Sequence, residues 1–434
     1  MPNQPIVKRE VLLPFILITS LFALWGFANA VTDPMVTAFK KVLELNNFQA
    51  SLVQLAFYGG YFTMALPASI FIRKYSYKVG VLIGLGLYAL GALLFYPAAV
   101  TQQFAFFLFG LYILTFGLAF LETTANPYIL AMGSQETATQ RLNLAQAFNP
   151  VGLLGGLLVA QQFVLRRLQS DDVNFSALDE TARAAIRQAD LLVIRNPYVV
   201  LGLVVILILV LIAVNKMPEQ RDSDPNSSTW DLIKALARKP HYAQGVLAQT
   251  VYVGAQIMCW TYIYQYSEAI GINAETAGSY QFIAFIVFFL GRFICTFLLR
   301  FVNSGRLLMW LAILAILCTA GTIFITGLGG LYSLIGISFC MSLMFPTIYG
   351  IALDGLSSDE AKIGAAGLVM AIVGGALMPT IQGTVLDWGG SGYTDLQILG
   401  VSEVNFSFFL PLLCFAVIAW YGWRSIKLVH ERKG

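Results

Sequence analysis

The chain has 434 residues, 58% of them apolar and 11% charged, with a net charge of +3. A soluble domain carries about 25% charged residues, and one this apolar would expose greasy patches that folded monomers avoid. These figures exclude a soluble enzyme, a disordered chain and a nucleic-acid binder, and the small charge points to no polyanion partner. His241 and His430 have no second His or Cys at ligand spacing, so no metal or haem site is expected. Cys259, Cys295, Cys318, Cys340 and Cys414 form no CxxC and read as small buried apolar side chains.

A bilayer core takes about 20 apolar residues per helix. In chain order, apolar windows fall at 12–38, 50–72, 79–99, 104–130, 141–165, 196–215, 241–267, 277–300, 307–326, 330–353, 363–386 and 404–424. They predict an all-α integral membrane protein with twelve transmembrane helices. Their continuity excludes a barrel of short alternating strands. The opening MPNQPIVKRE is polar, and the apolar run behind it is too long for a signal peptide. With the N-terminus placed in the cytoplasm, eighteen Lys and Arg fall inside and seven outside, so both termini are expected to be cytoplasmic. Five of the outer seven lie in one long connection, 166–195.

The polar, Pro- and Ser-bearing stretch 216–240 reads as a cytoplasmic linker between two six-helix halves, 1–215 and 241–434. Its later part, TWDLIKALARKP, is expected to be a short amphipathic helix on the membrane surface. Short basic loops, RKYSYKVG (73–80) and RFVNSGR (300–306), follow the second span of each half.

Ionisable residues inside spans are costly and point to function. Three stand out: Asp33 in the outer third of the first span, Glu122 just past the middle of the fourth and Arg292 in the eighth. A carboxyl taken out of water favours its protonated form, so Asp33 and Glu122 are suited to load a proton on one side and release it on the other. Arg292 is open to three roles: neutralising a carboxylate, steering a hydroxyl or holding helices together. Prolines at Pro34, Pro127, Pro150, Pro346 and Pro379 are expected to interrupt their helices, each removing a backbone donor.

The remaining polar set is Asn29, Asn126, Asn143, Gln146, Asn149, Gln249 and Gln256. Asn143, Gln146 and Asn149 recur every three residues on the fifth span, so each is a neighbour of the next. On the seventh span Gln249, Tyr252 and Gln256 form a stripe that Trp260 and Tyr264 continue. Amide stripes do not face lipid. Amides offering paired donors and acceptors, interleaved with aromatic plates, suit a sugar. Trp25, Phe345 and Tyr349 are weaker candidates. No phosphate-binding loop or catalytic triad spacing appears, so transport is expected to run on an ion gradient.

The stretches LWGFANAVTDPMV (24–36), FYGGYF (57–62), LETTANPY (121–128), RLNLAQAFNPVG (141–152), LAQTVYVGAQIMCWTY (247–262), GRF (291–293) and FPTIYGIAL (345–353) carry a resemblance. In them the chain resembles the fucose–galactose–proton symporter family of the major facilitator superfamily over nearly its whole length. The resemblance implies two six-helix halves working by alternating access in a bacterial inner membrane, as a monomer that needs no cofactor. It implies symport of a proton with L-fucose or a related monosaccharide. Glucose, galactose or N-acetylglucosamine are the alternative cargoes, and a proton-driven drug exporter is a more distant one. Asp33 and Glu122 match the family's coupling acids, and Gln146 and Asn149 its cavity-facing amides. Three features depart from the family's pattern. Ala30 stands where a second Asn is usual, and Phe345 where a Tyr precedes Pro-Thr-Ile. Ser69 and Arg73 occupy the superfamily's usual Gly and Asp.

Overall fold

The computed structural model describes residues 5–45, 47–169, 178–218, 228–386, 388, 393–394 and 396–431. The side chains at 33–38, 40–41, 47–51, 54, 165, 274–275 and 427–431 lie outside the described set. In lipid every backbone group needs an internal partner, which leaves an apolar segment of this kind only the helix. The first helices are α1 (Leu12–Val42), α2 (Asn47–Lys74), α3 (Tyr77–Leu93), α4 (Phe95–Thr101) and α5 (Phe104–Ala131). Next come α6 (Ala138–Gln146), α7 (Asn149–Val159), α8 (Glu180–Val214) and α9 (Thr229–Ala237). After them run α10 (Pro240–Thr261), α11 (Ile263–Ala269), α12 (Ala274–Leu298), α13 (Ser304–Phe324) and α14 (Leu328–Met341). The chain closes with α15 (Met344–Leu353), α16 (Ser358–Met370), α17 (Gly374–Leu386), α18 (Glu403–Ser407) and α19 (Phe409–Glu431).

Among the described residues, eleven helical stretches are long and apolar enough to cross a membrane. The span expected at 241–267 is not among them. It folds as α10 and α11, and Gln244, Gln249, Gln256 and its tyrosines leave it too polar to qualify by composition.

Prolines act less uniformly than expected. Pro34, Pro127 and Pro379 sit inside continuous helices, because losing one donor removes one bond and leaves the remaining ladder intact. Pro150 and Pro346 do accompany breaks, at 147–148 and 342–343. Of the connection expected at 166–195, residues 170–177 lie outside the described residues and residues 180–195 belong to α8. Asp179 caps α8 by accepting from Ala182 N at 2.8 Å, and the helix runs 35 residues. The short helix expected in the linker is present as α9.

The chain divides into two compact units. One comprises Val7–Met132 and Phe148–Asn226 and so holds α1–α5, α7 and α8. Small residues set its helix spacing. A Cβ on Gly152 would collide with the Ala23 carbonyl of α1, and one on Gly26 with the Asn149 carbonyl of α7. Phe95 stacks on Tyr198 at 3.8 Å, joining α4 to α8. In the basic loop, Ser76 caps α3, and Lys78 Nζ donates to the carbonyls of Ala213 (2.9 Å) and Asn215 (2.8 Å). A cation at a helix C-terminus meets the negative end of the dipole.

The other unit comprises Met1–Ile6, Gly133–Ala147 and Ser227–Gly434 and holds α6 and α9–α19. Asn303 and Ser357 cap α13 and α16, the latter in a reciprocal capping box with Glu360. A two-residue hairpin pairs Gln397 with Ser402 and Ile398 with Val401. Its turn residues, Leu399 (φ 52°) and Gly400 (φ 81°), both take the left-handed region that a tight hairpin requires. Gly133–Ala147 lies in the first half by sequence and packs in this second unit.

Candidate functional site

In the first unit the acid of α5 finds a partner on α2. Tyr61, 2% exposed, is hydrogen-bonded through its side chain to the Glu122 carboxyl. Glu122 Oε2 is buried and has no partner among the described residues. One turn on, Asn126 Nδ2 donates to the Glu122 backbone carbonyl at 3.0 Å. On α1, Trp25 packs edge-on against Phe22 at 4.6 Å, and its indole N–H is buried without an acceptor among the described residues. Asn29 Oδ1 is likewise buried and unpartnered among the described residues. Asp33 follows on the same helix four residues later, and its side chain lies outside the described residues. Asn149 opens α7 and donates to Phe22 O at 3.2 Å. Buried polar atoms without partners are costly. Here they include a carboxylate oxygen, an amide oxygen and an indole N–H, a set able to accept a proton and to bond hydroxyl groups.

In the second unit the amides of α6 are engaged with neighbouring helices. Gln140 Nε2 donates to Thr296 O of α12 at 3.3 Å, and Asn143 Nδ2 donates to Thr347 Oγ1 of α15 at 3.1 Å. Gln146 is buried at the end of the helix. The stripe expected over Asn143, Gln146 and Asn149 is therefore interrupted. The break at 147–148 separates Asn149 from the other two, and Gln140 extends the stripe in the opposite direction.

On α10, Gln249 is 0% exposed, and among the described residues neither its Oε1 nor its Nε2 has a partner. Its stripe neighbours are tied to α14. Tyr252 OH donates to Met341 O at 3.0 Å, and Trp260 Nε1 donates to Ser338 Oγ at 3.2 Å. Trp260 also sits edge-on to Phe285 (4.9 Å) and Phe288 (5.1 Å). Gln256 is half-buried. Tyr264 lies beyond the end of α10, on α11, where it is exposed and bonds Gln281 at 3.1 Å. Phe345 flanks Tyr252 at 6.2 Å and Tyr349 at 6.3 Å.

Arg292 on α12 is 3% exposed. Nε donates to Ser342 O at 2.6 Å, Nη1 donates to Gln146 O at 2.9 Å, and the guanidinium lies 4.8 Å from the Phe288 ring centre. Among the described residues it forms no ion pair. Of the three roles open from sequence, the geometry displays the holding of helices.

Tyr61 and Gln140 are site neighbours that the sequence reading did not single out. Tyr61 lies in the quoted FYGGYF stretch, but nothing in that stretch indicates that α2 faces Glu122. Gln140 stands three residues before Asn143, and extending the stripe backwards would have found it.

The sequence pattern of the Major Facilitator Superfamily matches residues 15–379. A Haemophilus influenzae protein named L-fucose-proton symporter is 52% identical over 434 residues, covering 98% of this chain and all 100% of that one. An Escherichia coli protein of the same name is 36% identical, covering 95% of this chain and 92% of its own. The crystal structure of the transporter FucP in the outward conformation superposes with a TM-score of 0.86 at 34% identity, over 96% of this chain and 99% of that one. With eleven membrane-length apolar helices among the described residues and a similarity that spans nearly every residue, the chain belongs to the Major Facilitator Superfamily and, within it, to the family of the L-fucose–proton symporters.

Proposed function

We propose that the chain imports L-fucose, or a closely related monosaccharide, together with protons by alternating access. It works as a monomer in a bacterial inner membrane, with both termini cytoplasmic and no cofactor beyond the coupling proton. Its two functional halves are 1–215 and 241–434, joined by the linker 216–240. Asp33 and Glu122 carry the proton. Asn29, Asn126, Asn143, Gln146, Asn149, Gln249, Tyr252, Gln256 and Trp260 recognise the sugar. The observation that carries this reading is Glu122, an acid within a membrane-crossing helix, held by Tyr61 and with Oε2 buried and unpartnered among the described residues. Such a group is built to change protonation state. The choice of L-fucose is supported by the two relatives that bear that name. The losses at Ala30 and Phe345 remove polar partners and make the cargo a matter for measurement.

The test is proton uptake by lightly buffered, de-energised cells after pulses of L-fucose, D-galactose, D-glucose, N-acetylglucosamine and D-mannose. L-fucose is expected to alkalinise the medium, and cells carrying Glu122→Gln are expected to give no signal. Alkalinisation by none of the five sugars would overturn proton–sugar symport.

A further inference from the structure

A proline inside a helix leaves the carbonyl four residues before it without an N–H donor. Pro150 releases the carbonyl of Gln146 in this way, and Pro346 that of Ser342. Both carbonyls lie at helix ends. Gln146 is the last residue of α6, and Ser342 directly follows α14. These are the two backbone oxygens to which Arg292 donates, at 2.9 and 2.6 Å. One buried guanidinium thus replaces two missing backbone donors and sits at the negative ends of two helices.

We propose that Arg292 is a positioning residue for the transport cycle. It latches α6 to the α14–α15 break through the two carbonyls that the prolines release, and it lets go when the carrier changes its facing side. The proposal rests on the alternating-access reading above. Three observations give it direction. First, α6 is tied along the same face by Gln140 to Thr296 and by Asn143 to Thr347, so the Arg292 bond closes a row spaced at three residues. Second, the chain passes from one compact unit to the other between Ala147 and Phe148, immediately after the latched carbonyl. Third, the partners are neutral carbonyls rather than carboxylates. Parting therefore strands one charge, not two, and a guanidinium can re-form the pair without any change of protonation. The fork of the guanidinium is essential, since a lysine is a point donor and does not span two fixed acceptors in the same way.

Cys295 is a native reporter of this latch. It is buried one turn after Arg292, and its Sγ accepts from Ser342 Oγ at 3.8 Å. The experiment follows N-ethylmaleimide alkylation of the purified full chain in lipid nanodiscs by peptide mass spectrometry. It compares wild type, Arg292→Lys, Pro150→Ala and the double variant, with Cys259 and Cys414 as internal controls. Alanine at 150 returns an N–H to Gln146 O without touching the neighbourhood of Cys295. Arg292→Lys and Pro150→Ala should each raise the Cys295 rate by about tenfold. Cys259 and Cys414 should stay unchanged, and the double variant should react no faster than Arg292→Lys alone. Two results would overturn the latch: Pro150→Ala reacting like wild type, or Cys295 rising only in step with Cys259 and Cys414. No sugar or gradient is applied, so a wrong cargo would leave these rates as expected, and a failed latch would leave the sugar-uptake result standing.

Discussion

Glu122 and Gln249 are two of the predicted site residues whose surroundings leave their side chains unsatisfied. Among the described residues, Glu122 keeps one oxygen buried and unpartnered beside its bond to Tyr61, and Gln249 is fully buried with an amide that has no partner. Replacing Glu122 with Gln keeps the shape and removes the titration. Sugar accumulation driven by a pH gradient should disappear, while sugar exchange across de-energised membranes should persist; both are read with radiolabelled sugar. Gln249→Ala removes hydroxyl partners in a dry site. A neutral hydrogen bond contributes about 1 kcal/mol, so the half-saturating sugar concentration should rise about fivefold or more for one or two lost bonds. An unchanged value would place Gln249 outside the sugar contacts. The candidate residues themselves were legible from sequence because charges and amides in an apolar run are conspicuous. Their partners were not. Asn143 turns to Thr347 and Arg292 to two backbone carbonyls, pairings across about 50 to 200 positions of sequence that only packing brings together.

At the scale of elements, all twelve predicted spans are found as helices, because continuous apolar length is the constraint a bilayer imposes. Their interruptions were less legible. Pro34, Pro127 and Pro379 ride inside helices, whereas Pro150 and Pro346 lie at breaks whose freed carbonyls have a cationic donor. A proline announces a missing bond, and the neighbouring helix decides what replaces it. The hairpin at 397–402 had no period to read, being two residues per strand. Close helix contacts yield a prediction at this scale. Gly152→Val would drive a side chain into the Ala23 carbonyl of α1. Overpacking of this kind costs about 1–3 kcal/mol, so the purified variant should show a lower thermal midpoint and reduced yield. An unchanged midpoint would mean that α1 and α7 part without cost.

For the whole molecule, symport fixes the sign of the pH dependence. Protons entering with sugar lend their gradient to it, so acid outside and neutral inside should drive accumulation, and the reverse gradient should drain sugar from loaded vesicles. One pH unit corresponds to about 1.4 kcal/mol per proton, or about tenfold accumulation for one proton per sugar. Measuring the steady-state sugar ratio against the imposed pH difference in proteoliposomes gives the stoichiometry directly. A ratio that stays at unity across all gradients would make the chain a uniporter.

Composition and span length by themselves determined that this is a helical membrane protein, that it crosses about a dozen times, and that Asp33, Glu122 and Arg292 are its conspicuous charges. Those are properties of single segments, set by the local cost of placing each residue in hydrocarbon. Tertiary structure decided which charge has which partner: Tyr61 for Glu122, and two carbonyls for Arg292. It also decided that Gly133–Ala147 belongs to the same compact unit as Ser227–Gly434 and not to that of its neighbours in sequence. A hydrogen bond needs its partners within about 3 Å, and residues far apart in the chain reach that distance only once the helices have packed.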